Sequence, residues 1–503
     1  MSKPIRLFAL VLWLQMTLTA CQLPPSETSD NIIRFGLSAT PVTLDPRFAT
    51  DAESARINRL LYQRLVDFDA GLRPVPALAQ WTQLSPTRYR FVLNAKPGHF
   101  PDGQPVTAKD VKATYDSILD PTTASPHRGA LDNIQEISVF SLRELEFTIE
   151  KPDLLFPAHL TLGILPAKGI AAAAPFNRQP QGSGDFELIS WREAEPLILR
   201  RRADQQKIIL VPVKDPLVRV LKLLRGELDI LQNNLPAEMI RWLGNKEHIS
   251  ISKRPGSNFT YMGFNLQDAA TGQLKIRQAV AHALNREEII RYLMGDAARL
   301  AAALLPPTHW AGHPDLAQYP YNPDKARALL KQAGFDKAHP LRLLYKTSSN
   351  PLSLRRATVI QHQLKQVGIE VDLRSYDWGT FYSDIKSGRF QMYSLSWVGV
   401  KTPDIFRYVF HSESIPPKGA NRGRYQSPQA DQWIEKAEQA DDLPSQVLAY
   451  QQLQKQIWQD LPYVPLWYED QVLVTRPCIQ HYQLHHDGNY DSLRKVQKNC
   501  NRT

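Results

Sequence analysis

At 503 residues, 43% hydrophobic and 22% charged, the chain is long enough for two or three lobes, because single cores stop growing at roughly 250–300 residues. The formal net charge of +10 is scattered: the densest basic run is only Leu199 to Asp204 (LRRRAD), and no recognition helix, zinc-knuckle spacing or basic-aromatic ladder accompanies it. That pattern is a solvated basic surface and excludes nucleic acid as a partner.

In chain order, Lys3 and Arg6 precede an apolar run from Leu7 to about Leu18. The run is shorter than the about 20 residues a membrane span needs, and it has the regions of a secretory signal. Its ending, Leu18-Thr-Ala-Cys21, resembles the lipobox of bacterial lipoproteins. This implies removal of residues 1–20, a lipid on Cys21, and a periplasmic location in the cell envelope with a membrane anchor. Loss of Lys3 and Arg6 takes the formal charge from +10 to +8. Residues 21–30 read as a polar, proline-containing tether. With Cys21 lipidated, Cys478 and Cys500 remain, 22 positions apart in an oxidising compartment; a disulfide is expected, with two free thiols as the alternative.

Folded sequence begins at Asn31 to Ala39 (NIIRFGLSA), an alternating strand-like run. A helical stretch follows at 52–68, and paired strands are predicted within 81–100. Thr107 with Asp110 three residues on marks a capped helix start. Asn322, Pro323 and Gly334 bracket another helix. The pattern at 274–295 breaks at Asn285 and closes at Gly295, and a helix ending at Gly368 leads into a strand. Strands alternating with helices indicate an α/β protein.

Catalytic patterns are missing. There is no G-x-S-x-G, no H-E-x-x-H and no P-loop. His309 and His313 are four apart, but Pro306, Pro307 and Gly312 oppose the helix that would align them on a metal. His485 and His486 read as surface residues. The expectation is a protein that is not an enzyme and carries neither cofactor nor metal.

Seven segments, in order, carry a family resemblance: TLDP (43–46), the long block 61–111 with its PALA-W and F-DG-PVTA-DV elements, GSGDFELISW (182–191), LLRGELDI (223–230), 262–290, YNPDKARALLKQAG (321–334) and QLKQVGIEVDL (363–373). Together they resemble the bacterial extracellular solute-binding proteins of the oligopeptide, dipeptide and nickel class, family 5, which feed ABC importers. The resemblance implies a periplasmic-binding-protein-like fold: two α/β lobes closing about a hinge, with an extra α/β domain on the first lobe. The implied boundaries are lobe I at 31–50, 181–261 and 471–503, the extra domain at 51–180, and lobe II at 262–470, with hinge crossings near Tyr261 and Val472. The implied partners are a peptide or peptide-like solute, ABC permease subunits in the inner membrane, and the membrane itself through the lipid; the protein is expected to be a monomer. The alternative is a cell-envelope scaffold or sensor that keeps the fold without transport.

The stretch SLSWVGVKTPDIF (394–406) matches the family's ligand loop, Trp-x-x-Asp, in which the aspartate pairs with the peptide's ammonium group. A buried cation needs such a fixed carboxylate. Here Trp397 and Gly399 are followed by Val400 and Lys401, neither of which can supply one. Three readings stay open. The ligand is not a free-amine peptide and is held by Lys401 or a nearby arginine; or Asp404 replaces the anchor; or transport binding has been lost. Ser38 and Thr40 after the first strand, and Arg407 beside the loop, are further candidate contacts. Tyr376 and Trp467 are candidates too, although Trp467 fits a core role better.

Overall fold

A computed structural model of the chain describes residues 31–192, 195–336 and 338–500. Cys21, the signal and the tether lie outside these residues. Among the described residues no helix is long and apolar enough to cross a membrane.

Eleven strands make one mixed sheet. Eight of them organise the molecule: β1 (Ile33–Leu37), β2 (Lys207–Pro212), β3 (Ile230–Gln232), β4 (Ser250–Phe264), β5 (Leu341–Ser348), β6 (Ile369–Tyr376), β7 (Met392–Trp397) and β8 (Tyr463–Thr475). Their spatial order is β6-β5-β7-β4-β8-β3-β1-β2. One half holds the parallel set β5, β6, β7, and the other holds the parallel set β1, β2, β3. The two long strands β4 and β8 pair antiparallel and run through both halves.

This register aims both parallel sets at the middle of the molecule. Trp397 at the carboxyl end of β7 lies opposite Phe259, and Gln232 at the carboxyl end of β3 lies opposite Leu473. In open α/β sheets, ligands lie just beyond the carboxyl ends of the strands. Here two such edges face each other.

Pairing between β4 and β8 lapses from Arg254 to Asn258, opposite Glu469 to Gln471. Gly256 sits in this gap, where an added Cβ would lie 2.2 Å from the Glu469 carbonyl oxygen. Only glycine allows that approach. The weak point of the crossing strands is therefore a few residues from the expected Tyr261, which instead is fully buried in the core of the Trp397 half.

Helices cover both faces of that half. One face packs Met262, Phe264 and Tyr345 against helices such as Leu274–Ala283 and Pro351–Gln366. The other packs Phe259, Tyr261 and Tyr393 against Trp378–Lys386 and Leu443–Asp460. Local signals fix the ends: Thr107 and Asp110 form a capping box, Asn285 and Asn322 cap their helices, and Gly334 and Gly368 stop theirs at φ +90° and +94°.

A separate four-stranded antiparallel sheet (Ala79–Ser85, Arg88–Leu93, Ile134–Val139, Glu144–Ile149) has its own core around Phe91, Tyr115 and Phe147. The two-stranded hairpin beside it (Val66–Phe68 with Pro74–Pro76) touches the Trp397 half directly: the indole N–H of Trp310 donates to the Leu72 carbonyl in its turn at 3.2 Å. Near the end of the chain a disulfide joins Cys478 to Cys500, closing a loop that holds Asp487, Tyr490 and Asp491.

Candidate functional site

A cavity of about 410 Å³ opens between the two halves, where the strand ends meet. On the β1 side, Ser38 donates to Glu53 Oε1 at 3.2 Å and accepts from Asn234 Nδ2 at 2.9 Å. Tyr490 donates to the other Glu53 oxygen at 2.5 Å. Asp51 starts the helix Ala52–Leu61 by accepting from the Ser54 N–H, while its second oxygen is buried with no donor among the described residues. On the opposite wall Arg356 pairs with Glu469 at 2.9 Å, and Asn258 Oδ1 is also buried without a partner among the described residues. Buried polar atoms are rarely left unpaired, so two orphan acceptors on a cavity wall favour a ligand that donates hydrogen bonds.

The sequence-derived candidates divide sharply. Ser38 lines the cavity, but Thr40 is exposed beyond it. Trp397 is half-buried beside Val398, which lines the cavity and is exposed. Gly399 takes φ +72°, turning the loop back, and Val400 packs into the aromatic core with Trp397. Lys401 is engaged inside the protein. Its ammonium lies 3.0 Å from Asp487 Oδ2 and 5.0 Å from the centre of the Phe68 ring. Arg407 is paired with Glu438 at 2.6 Å, away from the cavity. Asp404 is exposed at the start of the helix Ile405–Phe410, and its field reaches His159 of the small domain. Tyr376 ends β6 under the Lys346 ammonium, at 5.3 Å. Trp467 is 1% exposed, a core residue.

His309 holds the loop from behind. Its Nδ1 accepts from the Ala311 N–H at 3.0 Å, so its Nε2 donates to the Lys401 carbonyl, also 3.0 Å away. Burial lowers its pKa to about 4, against the pull of that carbonyl, and the ring is neutral at pH 7. His485 and His486, expected on the surface, are half-buried because the disulfide loop folds back onto the molecule.

Two residues without a sequence signal complete the picture. One is Asp487. Burial pushes its carboxyl up, but Lys401 and Arg59 outweigh this and hold it far below the usual carboxylate range. The other is Arg422, 6% exposed, whose guanidinium lies 4.8 Å from the Trp397 ring centre. It donates to Tyr261 at 3.0 Å and to Tyr382 at 3.2 Å, and has no carboxylate partner among the described residues. Neither has a sequence signature: Asp487 reads as an Asp-Gly turn and Arg422 as one loop arginine among several.

Two α/β halves joined by paired crossing strands, with a polar cavity between them, define a two-lobe solute-binding protein. The comparisons agree. Residues 72–415 match bacterial extracellular solute-binding proteins, family 5 Middle, and the chain belongs to that family. It is 25% identical over 486 residues to the dipeptide-binding protein of Escherichia coli K12, covering 88% of this chain and 90% of that one. It is 27% identical over 527 residues to the probable deoxycholate-binding periplasmic protein YgiS of the same organism, covering 95% and 97%. Among solved structures it is similar to Helicobacter pylori DppA, described as an ABC transporter-associated periplasmic binding protein in complex with the peptide STSA. That likeness has a TM-score of 0.78 and 25% identity over 93% of this chain and 98% of that one. The role of the chain is solute binding.

Proposed function

We propose that this protein is the capture subunit of an ABC importer: it encloses a peptide or peptide-like solute between its lobes and presents it to permease subunits in the inner membrane. The observation that carries the reading is the 410 Å³ cavity at the meeting of two sets of strand carboxyl ends. Its volume lies in the range of about 300–1,000 Å³ typical of small-molecule sites. The relatives named for dipeptide, the peptide STSA and deoxycholate support a solute of that size. The chain has no catalysis of its own in this reading, and it reaches the membrane through lipid on Cys21.

The loop arrangement narrows the solute. Lys401 neutralises Asp487, Asp404 stands outside the cavity, and Val400 is apolar, so the loop offers no carboxylate to an α-ammonium group. A free amine in this cavity is therefore met by the wall at Asp51 and not by this loop.

The test is a thermal-shift screen of the monomeric mature domain, starting at Gln22 with Cys21 omitted. The panel holds di- to pentapeptides, their N-acetylated forms, murein-type peptides and metal chelates. Saturating ligand at 100 times Kd raises stability by about 2.7 kcal/mol. A rise with at least one class of peptide is expected, and comparison of free with N-acetylated members reads whether the wall at Asp51 holds the amine. No rise with any member, together with unchanged peptide uptake in a deletion strain, rejects the import reading.

A further inference from the structure

The helix Pro216–Leu224 is apolar on two sides. Its inner side buries Val220 and Leu223 in a cluster shared with Leu231 of β3, Val472 of β8, and Ile240 and Leu243 of the helix Ala237–Gly244. Both helices therefore cover the same face of the β1 half. The outer side carries Leu217, Leu221 and Leu224, at spacings of four and three, with Val218 beside them, each between 37 and 50% exposed. Residues so spaced form one continuous ridge. The second helix adds Trp242, 44% exposed, with the Lys246 ammonium 4.6 Å from the centre of its ring. A helix that is apolar all round is one whose second side is also covered.

Charge and chain path indicate what covers it. Lys214, Lys222 and Arg225 flank the ridge in sequence, and Arg241 and Lys246 flank Trp242. Three of the acids here are engaged: Asp215 caps the helix, Glu227 pairs with Lys222, and Glu238 pairs with Arg355. After Leu224 the chain doubles back, with the Leu228 N–H donating to the Lys222 carbonyl at 3.2 Å. The next residue, Asp229, is bound to the start of β1. Its N–H donates to the Arg34 carbonyl at 2.8 Å, and its carboxylate accepts from the Arg34 N–H at 2.8 Å. Asn31 is three residues before Arg34, so the described chain begins beside the carboxyl end of this helix. Nine residues separate Asn31 from Cys21, about 30 Å at full stretch, whereas the helix is about 14 Å long. A lipid on Cys21 would hold the whole ridge within reach of the bilayer.

We infer that the outer face of Pro216–Leu224, together with Trp242, rests on the surface of the membrane that holds the lipid. The leucines enter the boundary between headgroups and acyl chains, Trp242 sits at headgroup level, and the flanking lysines and arginines meet anionic headgroups. The inference rests on the proposed lipid anchor at Cys21 and goes beyond it. A lipid on a nine-residue leash holds the protein near the membrane but leaves its orientation free, and this second contact fixes which side of the β1 half faces the bilayer.

The test uses the mature chain, residues 21–503, coupled through the Cys21 thiol to a maleimide lipid; Cys478 and Cys500 are joined to each other and do not react. The vesicles are phosphatidylethanolamine with phosphatidylglycerol, with and without brominated acyl chains that quench nearby indoles. The emission of Trp242, taken as native minus Trp242→Phe, is expected to fall about twofold or more on brominated vesicles. Leu221→Glu combined with Leu224→Glu should abolish that quenching. If the double variant does not fold, Leu221→Ser replaces it and should reduce the quenching. Trp242 emission that is the same on brominated and plain vesicles overturns the inference. So does a native dimer, free of vesicles, that the leucine variants dissolve, because a second copy is then what covers the ridge. The anchor itself is tested separately, by labelling cells with a palmitate analogue and comparing native protein with Cys21→Ala. Labelling without quenching rejects only the membrane contact, whereas absence of labelling rejects the anchor and the contact with it.

Discussion

Lys401 Nζ lies 3.0 Å from Asp487 Oδ2, and the two residues come from opposite halves of the molecule. Lys401 follows the β7 loop, whereas Asp487 sits in the disulfide-closed loop that packs against β1 and the helix Ala52–Leu61. The chain thus places its own ammonium group across the gap. The pair is 22% and 9% exposed, so screening is weak. Breaking it leaves Asp487 to Arg59, Arg56 and its own loop.

Lys401→Ala and Asp487→Asn should each favour separation of the halves, at a cost of about 1–3 kcal/mol, below the full 3–5 of a wholly buried pair. Small-angle scattering of ligand-free protein should show a larger radius of gyration for both variants. The exchange Lys401→Asp with Asp487→Lys should recover the compact form. Unchanged scattering in the single variants would remove the pair from any part in closure.

Trp397→Ala removes one face of the Arg422 box and the wall beside Val398. Solute affinity should fall by about 1–3 kcal/mol, the loss typical of an aromatic anchor. Ligand should also alter the fluorescence of native protein but not of a Trp397→Phe variant. Full affinity in the alanine variant would place the binding site elsewhere.

Acid acts through His309. Its pKa is lowered on folding, from an ordinary 6.5 to about 4, so the unfolded chain takes up the proton first as pH falls. The stability it contributes is whole above pH 6.5 and drains away between 6.5 and 4. At about 1.36 kcal/mol per unit, the loss is about 3 kcal/mol. Protonated Nδ1 could no longer accept from the Ala311 N–H, so the Lys401 loop loosens with it. Denaturant midpoints taken from pH 7 to 4 should fall along this window, and His309→Gln should flatten the slope. Loss of the Lys401–Asp487 pair belongs to lower pH, since Asp487 is held below the usual carboxylate range.

Gly256→Ala forces a Cβ to within 2.2 Å of the Glu469 carbonyl, and a backbone neighbour cannot rotate away. Destabilisation of about 2–4 kcal/mol is expected, at the upper end for single substitutions. A melting temperature within error of native would mean that β4 and β8 part easily at that point.

Much of the framework was legible because its signals are local. Thr107 with Asp110, Asn322 with Pro323, and Asn285 each announced a helix start through side chains that bond within four residues. The family motifs carried the two-lobe plan, and the structure puts Trp397 at the carboxyl end of β7 opposite Phe259. What the sequence could not convey was pairing over distance. Lys401 seemed free to meet a ligand because its partner lies 86 positions on, in a turn with no distinguishing pattern. Arg407 likewise seemed available until Glu438 appeared one helix away. Arg422 was missed for the opposite reason: its interest comes from an absent carboxylate, and absence of a neighbour is written nowhere in a sequence.

The strand order also bears on how the molecule assembles. The Trp397 half is built from β5, β6 and β7, which follow one another within about 60 residues and need only β4 and β8 to complete them. The other half inserts β1 between strands some 170 and 200 residues later, and Lys498 donates to the Ile32 carbonyl across 466 positions. Non-local pairings form slowly because a large loop must close before any contact rewards it. The aromatic box around Arg422 takes Tyr261 from β4 and Tyr463 from β8, about 200 positions apart, so each jaw waits on a loop closure of similar length and neither can be completed from local contacts alone.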